Sequence, residues 1–408
     1  MHQKLYGKKA TGGQWLDAML EEARGSEQEI VVVNIEKKPR LACFQDANIT
    51  YYTLEGEPNA KYAYRSKKSV EAWRQIIDKE KPDILELWGS EFPYGMAALS
   101  VAPNIPTIIY VQGILDSIGK YYLSGLSAAE LRTARTLRDV ISGTTIRQVK
   151  RDFERRAEYE SKLVRRAGHI IVENRWAEAY YRKIAADVNA HFLPISISDS
   201  FSAHTWSEEA MQPHTIMCSA ANYPIKGLHM LLKALSIVKK HYPDVQLYIP
   251  GTVLKDVRSI KAKLKQNGYD RLIRKMIVDL GLGQNVSYTG RLTADEMAKK
   301  MALVNCFAMC SAIENHSSTL KEAMTVGTPC VASYVGGVPE YAVDGENCLL
   351  YRFEDYEVLA QNICRVFADK DLRAHLSQNA RELMHKPKEE TDFERMMQIF
   401  KSVIEDAQ

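Results

Sequence analysis

Nowhere in the sequence does an apolar run reach the length of about 18 residues that signals a membrane-spanning helix. The opening MHQKLYGKKATGGQ also lacks the apolar core of a signal peptide. A chain that neither spans a membrane nor is exported by that route is expected. Seven cysteines, at 43, 218, 306, 310, 330, 348 and 364, contain no C-x-x-C pair, and an odd count in a long chain makes no disulfide framework, which favours a reducing cytoplasm. Cys306 and Cys310 lie four apart in an apolar run with no partner at zinc-site spacing, and read as core. A surplus of one charge is missing as well. The 54 Lys and Arg against 51 Asp and Glu leave only +3, too balanced for bulk attraction to nucleic acid. Only 14 Pro and 22 Gly exclude a collagen-like or linker chain. What is present, 46% hydrophobic and 26% charged residues over 408 positions, describes a packed globular protein large enough for two domains.

Short apolar runs bounded by turns recur: EIVVVNI (29–35), ITYYTL (49–54), DILELW (83–88), TIIYVQ (107–112) and HIIVEN (169–174). Segments of helical period separate most of them, such as SVEAWRQIIDKEK (69–81), so a parallel sheet built of strand–helix units is expected. The pattern restarts with TIMCSA (215–220), VQLYIPG (245–251), VSYTG (286–290), CFAMCS (306–311), PCVASY (329–334) and NCLLYR (347–352). Polar, turn-forming residues fill 196–214, where a boundary belongs. The expected organisation is a first α/β domain over 1–205, a second over 206–385, and a C-terminal helix in 386–408 that returns to the first. Ligands of open parallel sheets bind beyond the carboxyl ends of the strands, which points to a cleft between two such domains. Gly12 and Gly13 precede the helical QWLDAMLEEAR as a strand-to-helix glycine turn would, although residues 1–10 make a poor buried strand.

The chemistry concentrates in AIENHSSTLKEAMTVGTPCVASYVGGVPEYAVDGENCLLY (312–351). Glu314 follows a strand, Ser317, Ser318 and Thr319 stand where a helix should start, and Glu322 lies one turn inside it. Unpaired amides at a helix N-terminus attract a diphosphate, and carboxylates eight residues apart can reach hydroxyls on either side of it. By spacing alone, Glu322 is equally a residue that favours the first helical turn.

This segment resembles the Glu-x7-Glu signature of the retaining glycosyltransferases of family 4, the glycosyl transferases group 1, which have the GT-B fold. VGGVPEYAVDGENCLL is similar to the family's continuation, ANYPIKGLHMLLKAL (221–235) to its Lys-Gly motif, and VQLYIPGT and VSYTGRLTADEM fall in the family's order. The resemblance covers 214–385 firmly and the first half in pattern only. It implies two doubly wound Rossmann-like domains facing each other across a cleft. It also implies that Glu322 holds the nucleotide ribose, Glu314 contacts the transferred sugar, Lys226 neutralises the diphosphate, and Ser317, Ser318 and Thr319 receive its phosphates. The sequence departs from the family at Ala221, where many members have arginine, leaving Arg291 as a candidate for the second phosphate charge. Gln112 stands where members often have a histidine near the donor sugar; glutamine can bond a hydroxyl but cannot take up a proton. Glu91 is a candidate for acceptor binding or base work, against a plain surface loop. His316 reads as a sugar contact or as packing. Gly12 and Gly13 resemble the family's N-terminal glycine loop.

Twelve Lys and Arg against six Asp and Glu between 120 and 166 make a locally basic, helical segment, either solvated helices with internal ion pairs or a face for peripheral contact with anionic lipid. Asp369-Lys370-Asp371 matches a D-x-D metal signature, but between two helices it reads as a helix cap, and no metal is expected. The function implied is transfer of a sugar from a nucleotide-diphosphate sugar, a co-substrate with no further cofactor. The acceptor is a sugar, lipid-linked sugar or oligosaccharide in cell-surface polysaccharide or glycolipid synthesis, in the cytoplasm or at the inner face of the membrane. The competing readings are a nucleotide-sugar epimerase of GT-B-like fold and a catalytically idle homologue that binds a partner.

Overall fold

The computed structural model describes residues 14–36, 43–56, 66–91, 94–195, 197–219, 223–251, 254 and 265–407. The chain divides into two compact units: one of residues 1–115, 155–198 and 388–408, the other of 116–154 and 199–387. The expected first domain, 1–205, thus loses 116–154 to the second unit, and the chain re-enters that unit at 198/199 and leaves it at 387/388. Gly12, Gly13 and Ala221 lie outside the described residues.

In the first unit, β1 (Ile30–Glu36), β2 (Cys43–Asp46) and β3 (Ile49–Glu55) form a three-stranded sheet of order β1-β3-β2, with β1 parallel and β2 antiparallel to β3. Four further strands, β4 (Leu85–Trp88), β5 (Thr107–Tyr110), β6 (Gly168–Val172) and β7 (Asn189–Phe192), follow one another in a wholly parallel sheet. Alternate residues of a strand point to opposite faces. Ile109, Ile170 and Val172 meet Leu163, Val164 and Tyr181 on one side, while Ile108, Tyr110 and Ile171 meet Phe393, Met396 and Ile399 of the C-terminal helix Asp392–Asp406 on the other. Burial on both faces is why these strands read as unbroken apolar runs rather than alternating ones.

The second unit holds β8 (Gln212–Cys218), β9 (Gln246–Pro250), β10 (Val286–Gly290), β11 (Val304–Met309), β12 (Cys330–Ser333) and β13 (Leu349–Tyr351). All six are parallel, in the order β10-β9-β8-β11-β12-β13. This is the dinucleotide-fold order 3-2-1-4-5-6, whose switch point lies between the first and fourth strands, here β8 and β11. Cys306 and Cys310 are buried in its core. Asp369 caps the helix Lys370–Met384, its carboxylate accepting from Leu372 N at 2.9 Å.

The transferred segment 116–154 is fastened to this unit by buried polar bonds. His229, fully buried, bridges the Ser124 carbonyl (2.7 Å) and the Tyr269 hydroxyl (3.0 Å). Gly268 N donates to the buried Asp139 carboxylate at 2.5 Å, and a Cβ at Gly268 would stand 1.6 Å from the Ala134 carbonyl oxygen, so only glycine lets the two backbones approach.

Candidate active site

The switch point brings the chain after β8 against the chain after β11. Beyond β8, residues Pro224–Lys226 make a single 3-10 turn closed by Gly227 at φ +71°, which starts the helix Leu228–His241. A Cβ at Gly227 would lie 1.7 Å from the Cys310 carbonyl oxygen, and Ala312 N donates to Ile225 O at 2.8 Å, so the two loops are stitched through their backbones. Lys226 is thereby delivered to Glu314: Nζ to Oε1 is 2.6 Å, with side chains only 24% and 10% exposed. Ser311 Oγ donates to the same carboxylate oxygen at 2.5 Å, and the Ser311 carbonyl is itself held by Ser333 Oγ at 2.6 Å. Burial alone would lower the Lys226 ammonium, but the Glu314 charge, Tyr223 and the hydrogen bond to Glu314 together hold it above its ordinary value.

The Gly-Gly step of VGGVPE fixes the backbone of Glu314. Gly336 has φ +53°, a Cβ there would meet the Glu314 carbonyl oxygen at 1.8 Å, and Gly337 N donates to that oxygen at 3.2 Å. Three residues on, Ser317 caps the helix Ser318–Val326, its hydroxyl accepting from Leu320 N at 3.4 Å. Leu320 N and Lys321 N bond back to Ser317 O at 3.1 Å, so the amides of Ser318 and Thr319 belong to the orphan donors of a helix N-terminus. Glu322 is partly buried within this helix, and burial pushes its carboxyl up to about 7. His316 lies against Tyr341, ring centroids 5.3 Å apart at 32°; burial, with Lys321 beside it, holds the imidazole far below its ordinary pKa and therefore neutral. Arg291 is exposed immediately after β10, at the same carboxyl edge of the sheet.

In the first unit, Glu91 follows β4 and Gln112 follows β5. Glu91 folds back over Gly89, its Oε1 accepts from Gly113 N at 3.0 Å, and its carbonyl accepts from Arg156 Nε at 2.9 Å. Burial raises its pKa. The loop carrying Glu91 is therefore fixed to the neighbour of Gln112. Beneath it lies a residue that sequence reasoning passed over. Glu160 is fully buried and takes hydrogen bonds from Ser90 Oγ (2.5 Å), Tyr181 OH (2.8 Å) and Leu115 N (2.9 Å). Its signal was the spacing: Glu160 stands three from Ala157 and Leu163 and four from Arg156 and Val164, on the buried stripe of a helix otherwise notable for its charges. Ser311, the other omission, was visible only as the last residue of the CFAMCS run.

These parts define an α/β protein of the GT-B class. Residues 203–383 match the glycosyl transferases group 1 family. It is 27% identical over 161 residues to a GDP-mannose-dependent α-(1-6)-phosphatidylinositol monomannoside mannosyltransferase of Mycolicibacterium smegmatis, covering 38% of each chain. It is 30% identical over 176 residues to an MMP α-(1→4)-mannosyltransferase of Mycolicibacterium hassiacum, covering 43% of this chain and 39% of that one. The chain spans about two-fifths of the length of these curated relatives. Among solved structures, it shares its fold with a sucrose-phosphate synthase of Thermosynechococcus elongatus (TM-score 0.72, 18% identity, 97% of this chain and 94% of that one). It likewise shares it with Anabaena HepE, solved with UDP and glucose (TM-score 0.63, 16% identity, 92% and 99%).

Proposed function

We propose that the protein is a retaining glycosyltransferase of family 4 that moves a sugar from a nucleotide-diphosphate sugar to an acceptor hydroxyl. The observation that carries this reading is the Lys226–Glu314 pair at the β8/β11 switch point, set beside the helix start at Ser317–Thr319. As the nucleoside diphosphate leaves, negative charge grows on its β-phosphate. Lys226 and the Ser318 and Thr319 amides meet that charge, and the acceptor attacks from the face being vacated and gives its proton to the departing phosphate. Glu314 sits by the sugar and Glu322 by the ribose; Arg291 serves the second phosphate, and Gln112, Glu91 and His316 contact sugar or acceptor. The relatives named for phosphatidylinositol mannosides support a glycolipid acceptor; we extend this to glycolipid or cell-surface polysaccharide synthesis on the cytoplasmic side of the membrane. No helix among the described residues is long and apolar enough to cross a membrane, which leaves peripheral contact as the route to a lipid-linked acceptor. Screening nucleotide sugars by thermal shift identifies the donor; release of nucleoside diphosphate that requires an added acceptor then distinguishes a transferase from an epimerase or a binder. Release without any acceptor dependence rejects the reading.

Because Lys226 and helix-terminus amides supply the positive charge, transfer is expected to persist in excess EDTA. Loss of turnover that manganese or magnesium restores would refute this. Glu322 supplies a pH signature. Its ionised carboxylate accepts from ribose hydroxyls, and its carboxyl titrates near 7, so the donor KM is expected to rise as pH falls through that value. Glu322→Gln should show a higher KM, by about tenfold, that no longer varies in this range. A wild-type KM that stays flat from about pH 8 to 6 removes Glu322 from the donor site.

A further inference from the structure

The segment 116–154 presents a surface that the transfer reaction does not use. The helix Leu137–Ile141 is held from below: Thr136 caps it, and the Asp139 carboxylate turns inward to Gly268 N. The opposite side faces solvent, with Leu137 67%, Val140 37% and Ile141 79% exposed. At positions i, i+3 and i+4 these three aliphatic side chains share one face. Exposed Arg135 and Arg147 flank them in sequence, Arg138 Nη1 pairs with the Asp139 carboxylate at 3.2 Å, and Asp139 is the only acid between 131 and 151. Soluble chains expose single hydrophobes freely, but three on one helical face, held rigidly and flanked by arginine, form a patch that calls for an occupant.

We propose that this helix is a membrane-docking tip, which buries Leu137, Val140 and Ile141 at the headgroup–acyl boundary of an anionic bilayer while Arg135 and Arg147 meet lipid phosphates. Charge complementarity selects this occupant. A second copy docking by the same patch would set its arginines against their symmetry mates, whereas anionic headgroups neutralise them. The one acid of 131–151, Asp139, is engaged by Gly268 N and Arg138 and is buried, so it does not face such a surface. The proposal deepens the reading of a lipid-linked acceptor and narrows the basic 120–166 segment to one tip, placed on the second unit and not, as the sequence reading had it, on the acceptor-side domain.

The test uses the full chain, sedimented at low ionic strength with vesicles of phosphatidylcholine alone or mixed with phosphatidylglycerol. The expected result is binding to the mixed vesicles only, weakened by added salt. L137S/I141S should reduce it at least ~tenfold with an unchanged thermal midpoint, because both side chains are already in water. R135Q/R147Q should reduce it and flatten its salt dependence. Equal binding by wild type and L137S/I141S would overturn the proposal. So would a wild-type dimer, seen by sedimentation velocity, that ignores vesicles and is dissolved by L137S/I141S. Nucleoside diphosphate release with a water-soluble acceptor is followed in parallel. Its absence in a wild type that still binds vesicles counts against the transferase reading and leaves the tip standing.

Discussion

Glu314→Gln is expected to lower kcat by roughly tenfold to a thousandfold, the range of other electrostatic contacts that strengthen in a transition state. The substitution keeps shape and an oxygen for the Ser311 hydroxyl at 2.5 Å, so it removes charge more than structure. In the proposed reaction that charge would lie beside a sugar whose anomeric centre becomes positive as the bond to phosphate breaks, and it is the partner of Lys226 at 2.6 Å. The pair places the two functions in series. Lys226 is held by Glu314, and in the proposed donor complex its ammonium would serve phosphate and carboxylate together. Lys226→Ala should consequently damage both KM and kcat, since the diphosphate is charged before reaction and more so during it. Glu322→Gln should act chiefly on KM, because ribose contacts are the same in ground and transition states. Steady-state kinetics on variants with a wild-type thermal transition decide the matter. An intact kcat in Glu314→Gln would take Glu314 away from the sugar.

Most strands of the three sheets were legible, above all where burial on two faces leaves unbroken apolar runs such as TIIY and CFAM, which no amphipathic helix imitates. The two that were missed, CFQD and NAHF, are short edge strands carrying polar residues, and edge position removes the signature. Lys226, Ser317–Thr319, Glu314 and Glu322 were singled out by resemblance to a family's motifs, since spacing alone left Glu322 open, and the structure adds the ion pair of Lys226 with Glu314 across 88 positions of chain. The allegiance of 116–154 was not legible. It rests on bonds such as Ser124 to His229 and Asp139 to Gly268, spanning 105 and 129 positions, and a helix's own periodicity does not name the body it packs on. Glu160 was hidden for a different reason. Among so many charges on one helix, a single acid on the apolar stripe looks like another solvated residue until its partners are seen.

Glu160→Leu is expected to destabilise the first unit by several kcal/mol, on the order of 3–5. It would leave Ser90 Oγ, Tyr181 OH and Leu115 N buried without their acceptor, each at a cost of about 1–3 kcal/mol that is not fully additive. Glu160→Gln should behave differently. Its amide oxygen can take the Leu115 N–H, and its NH2 group can donate to the two hydroxyls, which rotate to accept. Burial, with Glu91 nearby and despite the three hydrogen bonds, pushes the Glu160 carboxyl up to about 7. A carboxyl raised in the folded state contributes stability that is complete below its ordinary value and is lost as pH rises through 7. Thermal unfolding should therefore show wild type losing ground to Glu160→Gln between about pH 4.5 and 7 and running parallel to it above, while Glu160→Leu melts lowest at acid pH, where the wild-type carboxyl is neutral. The functional consequence follows from what Glu160 holds. Ser90 precedes Glu91, and Leu115 lies three residues after Gln112, so a loosened Glu160 displaces both loops of the proposed acceptor side together. Glu160→Gln should keep the acceptor KM near wild type at pH 7. In Glu160→Leu, assayed well below its melting temperature, it should rise by about tenfold, the effect of roughly one lost hydrogen bond in positioning. Identical melting of Glu160→Leu and wild type, or identical pH slopes for Glu160→Gln and wild type, would show that this carboxyl neither supports the loops nor titrates in the folded protein.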